Sequence, residues 1–302
     1  MDRLIELLMA ERIPFAEHCP IAKYSTLRIG GTAELAVFPT CAEHMKKLLG
    51  HLSETGRRYA VVGKGSNLLF PDGEYDGTLI FTNRMDGVEC YGEEMRALAG
   101  APLAAVAIRA AMQSLGGAEF AAGIPGTVGG AVLMNAGAFG GSMEQIVTWV
   151  DCWNVTSGRL ERYERGEHGF AYRTSRYAKS EELVILEVGI KLQKQDRKII
   201  DGLMADYRKR RMASQPLEYP NCGSVFKNPE GDSAGRLIEL CGLKGVCIGG
   251  AQVSEKHANF IVNKGNATAQ DMLELIGLIR RRVLENTGVS LTCELRGLGF
   301  LI

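Results

Sequence analysis

The chain has 302 residues, 46% hydrophobic and 23% charged, with 35 Lys+Arg matched by 35 Asp+Glu. That balance leaves no basic excess for nucleic-acid binding through counterion release, and the apolar content is too high for a disordered chain. The length suits roughly two domains of about 150 residues, enough to build cores without metal or disulfide staples, and glycines interrupt every run approaching the about 18 apolar residues of a membrane span.

Taken in chain order, Asp2 to Arg12 alternates charge with an apolar stripe at helical spacing, and Glu6 and Glu11 break the apolar block a signal peptide needs. A strand is predicted over Ala33–Phe38, an amphipathic helix over Cys41–Gly56 and a strand over Arg58–Gly63. Strands follow at Thr78–Thr82, Gly87–Tyr91 and Met95–Ala99, then a small-residue helix from Pro102 to Ser114 with proline at its start. The longest uncharged stretch, Phe120–Met143, carries seven glycines and a proline and reads as loop. Strands are predicted at Ile146–Asn154, Arg159–Tyr163 and Leu183–Leu192, and a charged helix at Asp196–Met212. Helices at Ala234–Cys241 and Thr268–Asn286 and strands at Asn259–Asn263 and Ser290–Ile302 complete the pass. The order is α+β and lacks a repeating βαβ rhythm. The change of texture puts a domain boundary between roughly 192 and 215. Eight cysteines form no C-x-x-C pair and no metal-ligand rhythm with the five histidines; they read as free or buried thiols of a reducing compartment, which points to the cytoplasm, with no metal.

Two glycine-rich segments stand out. One is Gly63-Lys64-Gly65-Ser66-Asn67, directly after a predicted strand. The other is Gly123-Ile124-Pro125-Gly126-Thr127-Val128-Gly129-Gly130-Ala131, running on to Asn135–Gly140. Such segments let backbone N–H groups turn toward one point, which suits a pyrophosphate; both are also compatible with plain tight turns. Neither is a phosphate-binding Gly-Lys-Ser/Thr loop, and Leu68 occupies the place of the third dinucleotide-fingerprint glycine. Their wording resembles the flavin-binding domain of the p-cresol methylhydroxylase/vanillyl-alcohol oxidase (PCMH/VAO) superfamily. That resemblance implies FAD held over loops, and non-covalently, since His51 is the nearest preceding histidine and is too distant for a covalent tether.

Further stretches sharpen the resemblance: Ala171-Tyr172-Arg173-Thr174-Ser175, Gln215 to Pro229 around Gly223-Ser224-Val225-Phe226-Lys227, Gly250 to Phe260, and Cys293-Glu294-Leu295-Arg296. With them the chain resembles, nearly end to end, the UDP-N-acetylenolpyruvylglucosamine reductase family in its shorter, type II form. The resemblance implies an α+β fold: an N-terminal helix and lead-in at 1–28, a two-lobed PCMH/VAO-type FAD-binding domain at 29–195, and a smaller α+β substrate-binding domain at 196–302. It implies NADPH as reductant and the reduction of an enolpyruvyl ether on a UDP-sugar to a lactyl ether. Arg173 matches the family's cation near the substrate carboxylate, Ser224 its proton donor, and Glu294 the group that orients or protonates the enol. The residue types suit the reaction, because hydride addition pushes negative charge toward the carboxylate, where a guanidinium stabilises it.

Each residue also has an ordinary reading: Arg173 as a solvated loop arginine, Ser224 as a turn serine, and Glu294 with Arg296 as an exposed pair on a half-buried strand. Lys227, Asn228, Arg208 and Arg211 are candidates for binding the substrate and its diphosphate, Lys227 equally for the phosphate of NADPH, although the run Tyr207–Arg211 on a chain of zero net charge also reads as a solvated helix face. The family's usual surroundings differ at Thr292-Cys293, at Lys64 and at Cys222; the thiol two residues from Ser224 is an expected point of oxidative inactivation. The partners implied are small molecules, with no nucleic acid, membrane or obligate protein partner. Two other functions fit the residues: an oxygen-using sugar or lactone oxidase on the same scaffold, and a nucleotide-sugar binder without flavin.

Overall fold

The computed structural model describes residues 2–302. The chain forms two compact units: the first takes residues up to His18, Glu34–Lys64 and Asp76–Lys209, the second Cys19–Ala33, Gly65–Tyr75 and Arg210–Ile302. The divisions fall inside three strands (Phe15–Pro20, Thr32–Val37 and Glu74–Phe81), inside the helix Arg197–Ser214, and inside the first glycine segment.

The first unit is built on a five-stranded antiparallel sheet ordered Arg159–Glu164, Val147–Asn154, Leu183–Lys191, Glu94–Leu98, Val88–Tyr91. The strand Leu183–Lys191 is apolar almost throughout because both of its faces are covered. Val184 and Leu186 pack with Leu4 and Leu8 of the helix Arg3–Ala10 and with Met45, Leu48 and Leu52 of the helix Ala42–Thr55. Ile185, Val188 and Ile190 join the opposite core, with Val106 and Ala110 of the helix Leu103–Met112 and Val128 and Val132 of the helix Val128–Leu133. Alternation changes parity along this strand because pairing with Val147–Asn154 is irregular: Asp151 faces Glu187, but Cys152 faces Ile185. An extra residue in one strand swaps the faces of all that follow. A parallel pair, Tyr59–Val62 on Glu74–Phe81, delivers the chain to Gly63.

In the second unit a three-stranded antiparallel sheet (Cys247–Ile248, Ala251–Val253, Ile261–Asn263) packs with the helices Ala234–Leu240 and Ala269–Thr287. The longer helix has both ends written into the sequence. Thr268 and Asp271 form a reciprocal capping box at its start, and Gly288, at φ 72°, takes the left-handed turn that ends it. Its face of Met272, Leu275, Ile276, Ile279 and Val283 is buried at helical spacing.

Two expectations are corrected. The strand expected over Ser290–Ile302 is paired as a strand only at Arg296–Gly297, which runs parallel to Leu68–Leu69; before that the segment makes a single bridge, Phe226 to Cys293. It divides its hydrogen bonds between two partners, so neither pairing lengthens into a ladder. The uncharged stretch expected as loop contains the helix Val128–Leu133, started by Thr127, whose side chain accepts the Gly130 N–H. No helix among the described residues is long and apolar enough to cross a membrane.

Leu275 is fully buried on the long helix while Leu284, on the same helix, is 50% exposed. Leu275→Ala is expected to cost about 2–5 kcal/mol and Leu284→Ala under about 0.5 kcal/mol, read from urea midpoints by circular dichroism. Equal costs would place this helix outside the core.

Candidate active site

The first glycine segment is shaped by close approach. A side-chain carbon on Gly63 would run into Thr127 Oγ1, so within the first unit the start of one glycine segment lies against the middle of the other. Gly65 has φ 61°, and a side chain there would strike the Tyr24 carbonyl. Both positions therefore require glycine, for steric reasons at the first and for conformation as well at the second. Among the described residues the N–H groups of Lys64, Gly65, Ser66 and Asn67 donate to no protein acceptor. A run of such donors through a left-handed residue forms a concave anion cradle, so these residues fit the diphosphate of a dinucleotide. The second segment is different in kind: Val128 and Gly129 donate to Ala101 and Ala99 carbonyls at 2.9 and 2.8 Å, and Gly126 accepts from Leu103 N–H at 3.0 Å. Thr127 and Gly129 are buried, and Gly123, Pro125 and Gly130 are exposed.

Arg173 stands at the tip of a closed loop in the first unit. His168 Nδ1 and Tyr177 Oη share a 2.7 Å hydrogen bond at its base, where Arg176 N–H also donates to the His168 carbonyl at 2.8 Å. Above them Ala171 and Thr174 exchange hydrogen bonds of 3.1 and 3.2 Å. Burial holds the His168 pKa below its ordinary value and pushes that of Tyr177 up, so the pair is neutral, with the Arg176 guanidinium beside it. Arg173 is left-handed at φ 55°, half-buried, and its Nη1 donates to the Gly137 carbonyl at 3.4 Å. Two further ties bind this loop to the second glycine segment: Asn135 Nδ2 donates to the Ala171 carbonyl at 3.2 Å and Ser175 Oγ donates to the Leu133 carbonyl at 2.7 Å. Asn135 is itself held, its Oδ1 accepting Glu144 N–H at 3.0 Å, so Arg173 stands on a braced loop with its side chain half-buried.

Ser224 and Glu294 are brought onto neighbouring backbone in the second unit. Glu294 N–H donates to the Val225 carbonyl at 2.7 Å, and Lys227 N–H to the Thr292 carbonyl at 2.9 Å. Asn67 Nδ2 donates to the Glu294 carbonyl at 2.9 Å, tying the end of the first glycine segment to the same place. Asn221 Oδ1 accepts Gly223 N–H at 2.9 Å and makes the turn that precedes Ser224. Ser224, Lys227 and Glu294 are half-buried, and Asn228 is exposed with Oδ1 accepting the Ala234 N–H at 3.1 Å, a helix-starting role. On the helix Arg197–Ser214, Arg208 is exposed and Arg211 half-buried, where desolvation lowers its pKa.

All eight cysteines are free thiols. Cys222 is buried, and burial, with the Glu294 charge as a smaller cause, pushes its thiol up to about 12. Burial thus works against the thiolate form that oxidants attack, so Cys222 is less accessible than the exposed Cys247. Sequence reasoning missed the bracing roles of Asn135, Thr127 and Asn221, whose signal is their position beside a turn.

A match to an FAD-binding domain, together with relatives that are reductases, makes this chain a flavin-dependent oxidoreductase. Residues 33–164 match the family model for an FAD binding domain, and residues 215–298 that for the C-terminal domain of UDP-N-acetylenolpyruvoylglucosamine reductase. The UDP-N-acetylenolpyruvoylglucosamine reductase of Heliobacterium modesticaldum is 46% identical over 93% of this chain and 89% of its own, and that of Pediococcus pentosaceus 41% identical over 99% of both. The crystal structure of the Thermus caldophilus reductase superposes with a TM-score of 0.79 at 34% identity, covering 95% of this chain and 98% of that one. An alkyldihydroxyacetonephosphate synthase, at 14% identity and a TM-score of 0.50 over 64% of this chain and 41% of its own, shares the fold alone. The chain belongs to the UDP-N-acetylenolpyruvoylglucosamine reductase family.

Two outcomes are expected here. Gly63→Ala should weaken FAD binding about tenfold to a hundredfold, as overpacking of about 1–3 kcal/mol against Thr127 would, while Gly202→Ala, with open space around it, leaves it unchanged; fluorescence titration of stripped protein measures both. Under native iodoacetamide labelling at pH 8, mass spectrometry should find exposed Cys247 modified well before Cys222.

Proposed function

We propose that this chain reduces the enolpyruvyl ether of UDP-N-acetylglucosamine to the lactyl ether of UDP-N-acetylmuramate, a step of peptidoglycan precursor synthesis, with Arg173, Ser224 and Glu294 as its catalytic residues. NADPH is the reductant, and FAD, which Gly63–Asn67 and Gly123–Ala131 would hold non-covalently, would supply hydride-transfer chemistry toward the terminal carbon of the enolpyruvyl group. Arg173 grips the substrate carboxylate, where negative charge accumulates as the double bond is lost. Ser224 Oγ–H donates a proton to the carbon that bears the carboxylate, turning CH₂=C into CH₃–CH. A hydroxyl is a weak acid, but a carbanion-like centre is basic enough to take its proton when the two are aligned. Glu294 orients or protonates the enol. The reading is supported most by one observation, the 2.7 Å hydrogen bond from Glu294 N–H to the Val225 carbonyl, which sets two distant parts of the sequence side by side with the proton donor between them and the turn.

The backbone of Gly63–Asn67 and Gly123–Ala131 takes the cofactor in this reading, and Lys227, Asn228, Arg208 and Arg211 take the diphosphate of the sugar nucleotide. Residues 29–195 form the flavin-binding part and 196–302 the substrate-binding part. The enzyme works in the cytoplasm, on small molecules, without nucleic acid, membrane or protein partner.

Arg173→Ala should lower turnover about 10²- to 10³-fold, the loss typical of one oxyanion-stabilising donor; a change of a few-fold would remove it from the site. Ser224→Ala should still let NADPH bleach the flavin in anaerobic stopped-flow while the enolpyruvyl substrate no longer restores its colour. Loss of both half-reactions together would make Ser224 a residue of the fold instead.

A further inference from the structure

We propose that Asn259 is the positioning residue for Ser224, a role that rests on Ser224 being the proton donor. The segment Ser224–Lys227 is a single line of backbone with the chain at 292–294 along one side. On its other side lies Asn259. The Asn259 carbonyl accepts Val225 N–H at 2.9 Å. Its side chain then pairs with the next residue in both directions: Oδ1 accepts Phe226 N–H at 3.0 Å and Nδ2 donates to the Phe226 carbonyl at 2.9 Å. One side chain thus reproduces what an antiparallel strand partner provides, two hydrogen bonds exchanged with one residue.

Asn259 is 3% exposed and Phe226 1%, so water cannot take over either bond when the amide is removed. The Asn259 backbone is itself held, because its N–H donates to His257 Nδ1 at 3.2 Å. Val225 is therefore fixed from both sides, its N–H by Asn259 and its carbonyl by Glu294. With Val225 fixed and the Asn221 turn fixing Gly223, the direction of the Ser224 side chain is set by neighbours it does not touch. Proton delivery depends on that direction, since a shift of about 1 Å in a reacting group costs on the order of 10²-fold. Reduction of the flavin by NADPH needs no proton from Ser224 and does not depend on it.

The test uses the flavin-loaded enzyme with Asn259→Leu, which keeps the volume and removes both side-chain bonds. Asn259→Asp, which keeps the acceptor and loses the donor, stands in if the first variant does not fold. Deuterium uptake at the Phe226 amide should quicken at least about tenfold in Asn259→Leu, since its buried acceptor is gone. In anaerobic stopped-flow, bleaching by NADPH should stay within about twofold of the parent, while recovery of colour with the enolpyruvyl substrate slows about 10- to 100-fold. Equal slowing of both half-reactions would overturn the proposal and leave Asn259 a residue of the fold. Recovery at the parent rate in the Asn259 variants while Ser224→Ala blocks it would remove Asn259 alone. Normal recovery in Ser224→Ala itself would instead overturn the role of Ser224.

Discussion

Between Thr292 and Leu298 the chain exchanges one hydrogen-bonding partner for another, and the second unit depends on that exchange. Thr292 and Glu294 bond to Lys227 and Val225; two residues later Arg296 and Leu298 bond to Asn67 and Leu69. A seven-residue segment thereby ties a serine, a glutamate and a glycine segment that are far apart in sequence. Each such bond contributes only about 1 kcal/mol net, and no ladder reinforces them. What holds the segment is the burial of Leu291 and Leu295 in the core, with Cys293 between them packed against it.

The first unit solves a different problem, that of holding a long cation still. Non-glycine residues with left-handed backbone gather there: Asn135, Phe139 and Arg173, at φ 42°, 54° and 55°. Each such conformation costs on the order of 1–2 kcal/mol, so it persists only where surrounding contacts over-determine it. They do. The Phe139 ring stacks on Tyr207 at 4.5 Å, Asn135 bridges two segments through its amide, and the loop below Arg173 is closed by a neutral His168–Tyr177 pair. The bracing fixes the backbone from which Arg173 projects, and its Nη1 donates to the Gly137 carbonyl of the same glycine-rich region.

Much of this was legible beforehand. Periodicity located the strands of the five-stranded sheet and the long helices to within a few residues, because those elements bury regular faces. The glycine segments announced themselves by composition. The wording around Arg173, Ser224 and Glu294 singled out residues whose ordinary readings, taken one at a time, were stronger. What stayed hidden was whatever depends on a partner distant in sequence. Leu291 to Leu295 alternates as a strand does, yet no alternation says that the partner will change at Arg296. The helix Val128–Leu133 hid among glycines because its stability comes from packing of Val128 and Val132 and not from propensity. The bracing by Asn135 and Asn259 came into view only with the distant backbone groups they satisfy.

The braces are asparagines for a reason that joins structure to chemistry. Asn67, Asn135 and Asn259 each satisfy main-chain groups from a distant part of the chain, and an amide carries donor and acceptor together, as a peptide does. An aspartate could accept an N–H but could not donate, and it would add negative charge to a buried place; a lysine or arginine could donate but not accept. Only a neutral group with both hydrogen-bonding roles meets main-chain N–H and carbonyl groups together, as Asn259 does at Phe226.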